Sequence, residues 1–359
     1  MHKLVAGFAV FAVGMLGVGA ASAAGIELSL DASTKDFGSG KVDYTLTNRT
    51  ASTVHVLRWQ TPVEGVTNDL FRVSQNGKPV DYVGPVYKRV APRAQDYIEL
   101  KAGESVGAEV DLSAYYDMRA GGQYQVSYAR EASDVIQEAA AAENGGAKSA
   151  VLVFDRKEVS TNVFADATPD GFDAMNGGAE TESMVGVKAA TNSFVSCSNT
   201  RQTQLATARN SAVTYANNGK SYLTAGTQGS RYTWWFGTYN SSRYSTVRTH
   251  FNNLYSALSS QPYTFNCSCT DSGTYAYVYP TQPYKVYLCG AFWSAPNTGT
   301  DSRAGTLVHE SSHFNVVAGT DDWAYGQSAA HSLATSNPTH AIDNADSHEY
   351  FSENTPARN

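Results

Sequence analysis

Two histidines four residues apart, His309 and His313, are where this chain is best equipped to do chemistry. On a helix that spacing puts both imidazoles on one face, about 5–6 Å apart, where a single metal ion can bridge them. Neutral imidazoles suit zinc. Glu310 follows the first histidine directly, so it projects beside such a metal and can take a proton from a metal-bound water. Leu307, Val308 and Phe314 give the stretch Thr306 to Phe314 the partly apolar surface of a helix set into a wall.

A catalytic zinc takes three protein ligands and leaves its fourth position to water. The continuation HExxHxxGxxH fails, because Val316 and Gly319 stand where it needs glycine and histidine. Glu349 or Glu353 from a later helix can serve instead. A nearer candidate lies in Gly319-Thr320-Asp321-Asp322-Trp323-Ala324-Tyr325-Gly326, a glycine-led turn able to return Asp322 to the metal. Asp321 competes with it, and its alternative role is to cap the helix expected next. Tyr325, three residues after Asp322, is expected one helical turn away with its phenol aimed at the same site.

HExxH followed by GTxDxxYG resembles the deuterolysin, or aspzincin, family of metallopeptidases. The stretch Asn344 to Asn354 is similar to the peptidyl-lysine metalloendopeptidases within it. The resemblance implies a zincin-like catalytic fold holding one Zn²⁺. It implies His309, His313 and Asp322 as ligands, Glu310 as general base and Tyr325 as stabiliser of the oxyanion. Asp346 and Glu349 are three residues apart, so on a helix both carboxylates share a face where an ammonium would pair with them. The resemblance implies that such a pair selects lysine on the leaving-group side of the scissile bond. Cys197, Cys267, Cys269 and Cys289 form an even set in an exported chain and read as disulfides. Cys267 and Cys269 are too close together to bridge one another easily, and the resemblance implies Cys197–Cys267 and Cys269–Cys289.

The elements that must position these residues follow from the chain in order. Residues 1–23 read as an export signal: His2 and Lys3, an apolar run from Leu4 to Val18, then Ala21-Ser22-Ala23. That run is short for a membrane span, so a secreted protein without a membrane anchor is expected. With 359 residues and a net charge of −7, two domains fit and no basic run suggests nucleic acid. Residues 24–160 alternate apolar and polar side chains, as in Ile26, Leu28, Leu30 and Val42, Tyr44, Leu46, with turns at Asn76-Gly77 and Gly121-Gly122. They read as an all-β, sandwich-like domain with no catalytic constellation. Residues 161–191 read as a linker. Residues 192–359 read as a mainly α domain with a small β-sheet. Helices are expected over 200–218, closed by Gly219, over 241–258, 323–334 and 339–351, with a hairpin through Tyr275 to Leu288.

Lysine is placed unevenly: only Lys220 and Lys285 follow Ala189, whereas eight lysines lie between Ala24 and Lys188. An enzyme that cuts before lysine would spare its own catalytic domain. The N-terminal domain thus reads as an inhibitory, folding-assisting propeptide, removed at Val187-Lys188. The expected activity is hydrolysis of proteins or peptides before lysine. The alternatives are a secreted peptidase with a glutamate ligand or broader specificity, and a secreted binding protein with a structural zinc. His331, His340 and His348 read as surface or supporting groups, His250 has no visible partner, and Trp234-Trp235-Phe236 reads as core.

Overall fold

The computed structural model describes residues 25–34, 38–138, 160–167 and 191–359. The export signal and the Val187-Lys188 cleavage site lie outside the described residues.

Alternating side chains shape the N-terminal half. Its elements are β1 (Ile26–Ala32), β2 (Lys41–Asn48), β3 (Val54–Leu57), β4 (Phe71–Gln75), β5 (Lys78–Pro79), β6 (Val86–Arg89), β7 (Tyr97–Leu100), β8 (Ser105–Asp111), β9 (Gly122–Tyr128), the short α1 (Ala132–Val135), β10 (Ile136–Glu138) and β11 (Ser160–Ala165). They pair in the orders β1-β2-β8, β10-β3-β7 and β11-β9-β4-β5, all antiparallel, over one core that includes Val42, Tyr44, Leu46, Phe71, Tyr124 and Val126. Asn76 and Gly77, both at positive φ, close the two-residue turn between β4 and β5.

The C-terminal half contains β12 (Ser193–Val195), α2 (Asn199–Thr224), α3 (Ser230–Phe236), α4 (Ser241–Ser260), β13 (Thr264–Asn266), β14 (Thr274–Val278), β15 (Lys285–Leu288), α5 (Gly290–Ser294), α6 (Arg303–His313), α7 (Gln327–Ser336), α8 (Pro338–Ala341) and α9 (Ala345–Glu353). Disulfides join Cys197 to Cys267 and Cys269 to Cys289 at the rim of its sheet. No described helix is long and apolar enough to cross a membrane.

Four elements depart from the expected boundaries. Strand β11 (Ser160–Ala165) pairs antiparallel with β9, so the N-terminal sheet continues to Ala165, inside the stretch read as linker from residue 161. Helix α2 does not stop at Gly219 but runs on to Thr224. A Cβ at Gly219 would sit 2.5 Å from the Phe251 ring, so this glycine lets α2 and α4 approach instead of ending a helix. The helix expected at 323 begins only at Gln327, after Gly326 at φ 84°. The last expected helix is two, α8 and α9, parted at Ile342 to Asn344.

The two halves share a sheet. Its order is β12-β13-β15-β14-β6, so the N-terminal strand β6 completes the C-terminal sheet by pairing antiparallel with the edge strand β14. Alternation along β6 directs Val86 and Lys88 inward, and both are buried.

Candidate active site

Helix α6 is buried all round from Ala304 to His313, so its polar side chains exchange water for one another. Ser302 caps it, accepting from Gly305 N at 2.9 Å, and Glu353 in turn accepts from Ser302 N and Oγ at 2.8 and 2.7 Å. Glu353 is therefore spent on the start of α6, not available as a ligand. Gly305 gives α9 room to pass, since a Cβ there would run into the Glu353 carboxylate.

After His313 the chain reverses. Val317, Ala318 and Gly319 all donate to Phe314 O, Gly319 takes φ 61°, and Thr320 N returns to Ser312 O at 3.1 Å. The returning loop is pinned to the entry of α9: Asn344 Oδ1 accepts from Trp323 N and Ala324 N, both at 3.0 Å, and Asp321 N donates to Asp343 O at 2.8 Å. Asp322 thereby faces both histidines. His309 Nε2 and His313 Nε2 are 3.1 Å apart, and Asp322 Oδ1 lies 3.3 and 3.6 Å from them. A tetrahedral metal with bonds of ~2.0–2.1 Å separates its ligand atoms by about 3.3 Å, so this triangle fits one ion.

Supporting contacts set the tautomers. His313 Nδ1 lies 2.7 Å from Thr320 O, to which it donates, leaving the Nε2 lone pair for the triangle. His309 Nδ1 lies 2.9 Å from Asp346 Oδ1. Burial holds His313 below the ordinary imidazole range, as a neutral ligand requires. Burial also opposes a charge on His309, but Asp322 and the carboxylates of α9 outweigh it and hold that imidazole well above its usual range. The cluster thus favours positive charge at its centre, which a dication supplies. Glu310 is fully buried and neither carboxylate oxygen has a hydrogen-bond partner among the described residues. Burial pushes it up to about 8, the range of a proton-transferring group near neutrality.

Tyr325 does not reach the site along a helix, because Asp322 to Gly326 is irregular loop; its Oη nevertheless lies 3.4 Å from Asp322 Oδ2. Asp321 caps no helix. It pairs with Arg130 at 2.9 Å, across the junction of the two halves. Glu349 faces His309 Nδ1 at 3.4 Å, on the side of the ring away from Asp322, so it does not replace that aspartate in the triangle. His331 and His340 stack on Trp234 and Trp323 at 3.6 and 3.7 Å, and His348 meets His250 at 3.0 Å, which supplies the partner His250 lacked in sequence.

Beside the triangle is a second, acidic chamber, and it is filled. Lys88 Nζ lies 2.5 Å from Glu349 Oε2, 3.4 Å from Asp346 Oδ1 and 3.9 Å from Asp301 Oδ1, and 5.0 Å from the Tyr275 ring centre. Burial alone would depress this ammonium, but Asp346 and Glu349 outweigh it and raise it well above the usual lysine range. The preceding carbonyl, Tyr87 O, lies 3.5 Å from Tyr325 Oη. The N-terminal half also grips the ligand loop: Asn68 Nδ2 and Gln60 Nε2 donate to Asp322 O at 3.0 and 3.3 Å, and the Arg130 guanidinium covers Trp323 at 4.4 Å. Lys88, Asp301 and Tyr275 were not singled out by sequence. The signal for Lys88 was its inward place in the alternation Val86, Lys88, Val90.

This chain is 43% identical over 341 residues to an extracellular protease of Aeromonas hydrophila, covering 94% of each chain. It is 36% identical along the whole length of both chains to a peptidyl-Lys metalloendopeptidase of Armillaria mellea. Residues 221–353 match the aspzincin family described as lysine-specific metallo-endopeptidase. The chain belongs to the aspzincin family. It is a zinc-dependent metalloendopeptidase, and its substrates are proteins. A peptidyl-Lys metalloendopeptidase of Pleurotus ostreatus is 61% identical over 165 residues, which are 46% of this aspzincin and 98% of the relative.

Proposed function

We propose that this aspzincin is secreted as a proenzyme and cuts peptide bonds on the N-terminal side of lysine. The observation that carries this is the burial of Lys88 between Asp346 and Glu349, beside the His309, His313 and Asp322 triangle. An ammonium buried there needs both acids, and neither the longer, forked guanidinium of arginine nor an apolar side chain reproduces its contacts. The similar relatives named for peptidyl-Lys cleavage favour the same reading.

His309, His313 and Asp322 would hold one zinc, which when bound supplies a Lewis acid and lowers the pKa of its water towards about 7. Glu310 takes the proton released as water attacks the carbonyl preceding lysine, and then passes it to the leaving amine. Tyr325 donates to the developing oxyanion. Its 3.5 Å approach to Tyr87 O supports that role, because Tyr87 precedes Lys88 as a substrate's residue would. Asp346 and Glu349 bind the substrate ammonium, and Asp346 also orients His309.

The N-terminal half acts as an intramolecular inhibitor. Strand β6 lies antiparallel on the edge strand β14 with its lysine in the acidic chamber, so a substrate cannot enter until it leaves. The propeptide runs from residue 24 through β11 to at least Ala165, the linker that follows reaches 191 and is cut at Val187-Lys188, and residues 192–359 are the catalytic domain. The disulfides and the extracellular relative favour export.

The test is a digest of a denatured protein containing lysine and arginine by the processed enzyme, with cleavage sites mapped by mass spectrometry. Cuts before lysine that a zinc chelator abolishes are expected. Chelator-sensitive cuts spread over apolar residues would retain the peptidase and remove the lysine pocket.

A further inference from the structure

The same docked strand identifies a place for the residue before lysine. Resting on the reading that β6 lies as a substrate does, we propose that Tyr277 is an aromatic platform selecting an aromatic side chain immediately before the lysine. Lys88 faces Ala276 on the inner side of the β14 pair, and Tyr87 faces Tyr277 on the outer side. The Tyr87 and Tyr277 rings stack with centroids 4.7 Å apart and planes 27° from parallel. Beneath them Tyr277 lies on Tyr287 of β15 at 4.5 Å and 5°, and Tyr279 meets both rings edge-on at 6.1 and 5.9 Å.

Three of these four tyrosines belong to the catalytic half and need nothing from β6 to hold their positions. Tyr277 and Tyr287 are cross-strand partners in the β14–β15 register, so the platform is built before any chain docks on it. The fourth ring, Tyr87, is the visitor, with the Arg89 guanidinium of its own strand 5.0 Å from its centre. Once the N-terminal half departs, one face of Tyr277 is left for the incoming chain. A rigid, preformed ring face favours a flat aromatic guest over a small or anionic one, because little ordering is required of the site.

The experiment uses the processed enzyme and a set of fluorogenic peptides identical except at two positions: tyrosine, alanine or aspartate before the scissile bond, and lysine or alanine after it. Among the lysine peptides, tyrosine is expected to exceed alanine in kcat/KM by about threefold to tenfold. Tyr277→Phe keeps that ratio, and Tyr277→Ala brings it towards one. Equal kcat/KM for the tyrosine and alanine peptides in the unaltered enzyme, with cleavage still requiring lysine, removes the platform but keeps the lysine reading. A ratio unchanged by Tyr277→Ala also removes the platform. Cleavage that ignores the loss of lysine overturns both together. The unaltered enzyme's selectivity is decisive even if Tyr277→Ala does not fold.

Discussion

The metal corner and the acidic chamber share His309 and helix α9, yet they are assembled in opposite ways. The corner takes His309, His313 and Asp322 from one short stretch, bent back by the turn at Gly319. The chamber takes Asp346 and Glu349 from α9, Asp301 from the loop before α6, Tyr275 from β14, and its occupant, Lys88, from strand β6 of the other half. On the proposed reading, the local site serves chemistry common to every bond the enzyme cuts, and the distributed site is refilled, first by the protein's own chain and then by a substrate.

Changes in the corner should therefore abolish all cleavage, and changes in the chamber should alter which bonds are cut. Glu310→Ala is expected to lose on the order of 10³–10⁴ in kcat on any peptide while atomic absorption still finds zinc. Asp322→Ala should lose the metal itself, and full zinc occupancy there would remove Asp322 from the ligand set. Tyr325→Phe, which removes only the hydroxyl, should cost about 10²–10³ in kcat with little change in KM. Glu349→Gln should lower kcat/KM on lysine peptides by about 10², because a buried ammonium keeps one full partner instead of two. Asp301→Asn, at a partly exposed carboxylate 3.9 Å from the ammonium, should cost only about twofold to threefold.

The same contrast explains what could be read from the residues. An i, i+4 histidine pair has its geometry fixed by the helix, so His309 and His313 were legible, as was the return of Asp322 through a glycine turn. Tyr325 arrives at the expected place by a different route, because Gly326 and the Asn344 bonds hold its loop in an irregular, non-helical path. Alternation disclosed strands such as β1 and β2 and the small sheet beside α6, whereas β11 lies in a stretch whose composition reads as linker. It did not disclose that β6 abandons its own half, since pairing across such a separation depends on which edge is open and not on local pattern. Lys88 looked like any of the leader's lysines. Gly219 reads as a stop in sequence because a glycine that admits Phe251 and one that ends a helix are the same letter.

The central claim is that β6 occupies the place of a substrate, and its most direct test is the latency of the full-length chain. With Lys188→Ala introduced to hinder release of the N-terminal half, unprocessed protein carrying Lys88 is expected to be nearly silent on a fluorogenic peptide containing lysine. Adding Lys88→Ala should raise that hydrolysis at least about tenfold, at equal zinc content, because the acidic chamber is then open to the peptide's ammonium. Equal latency with and without Lys88, in folded and zinc-loaded protein, would contradict the account.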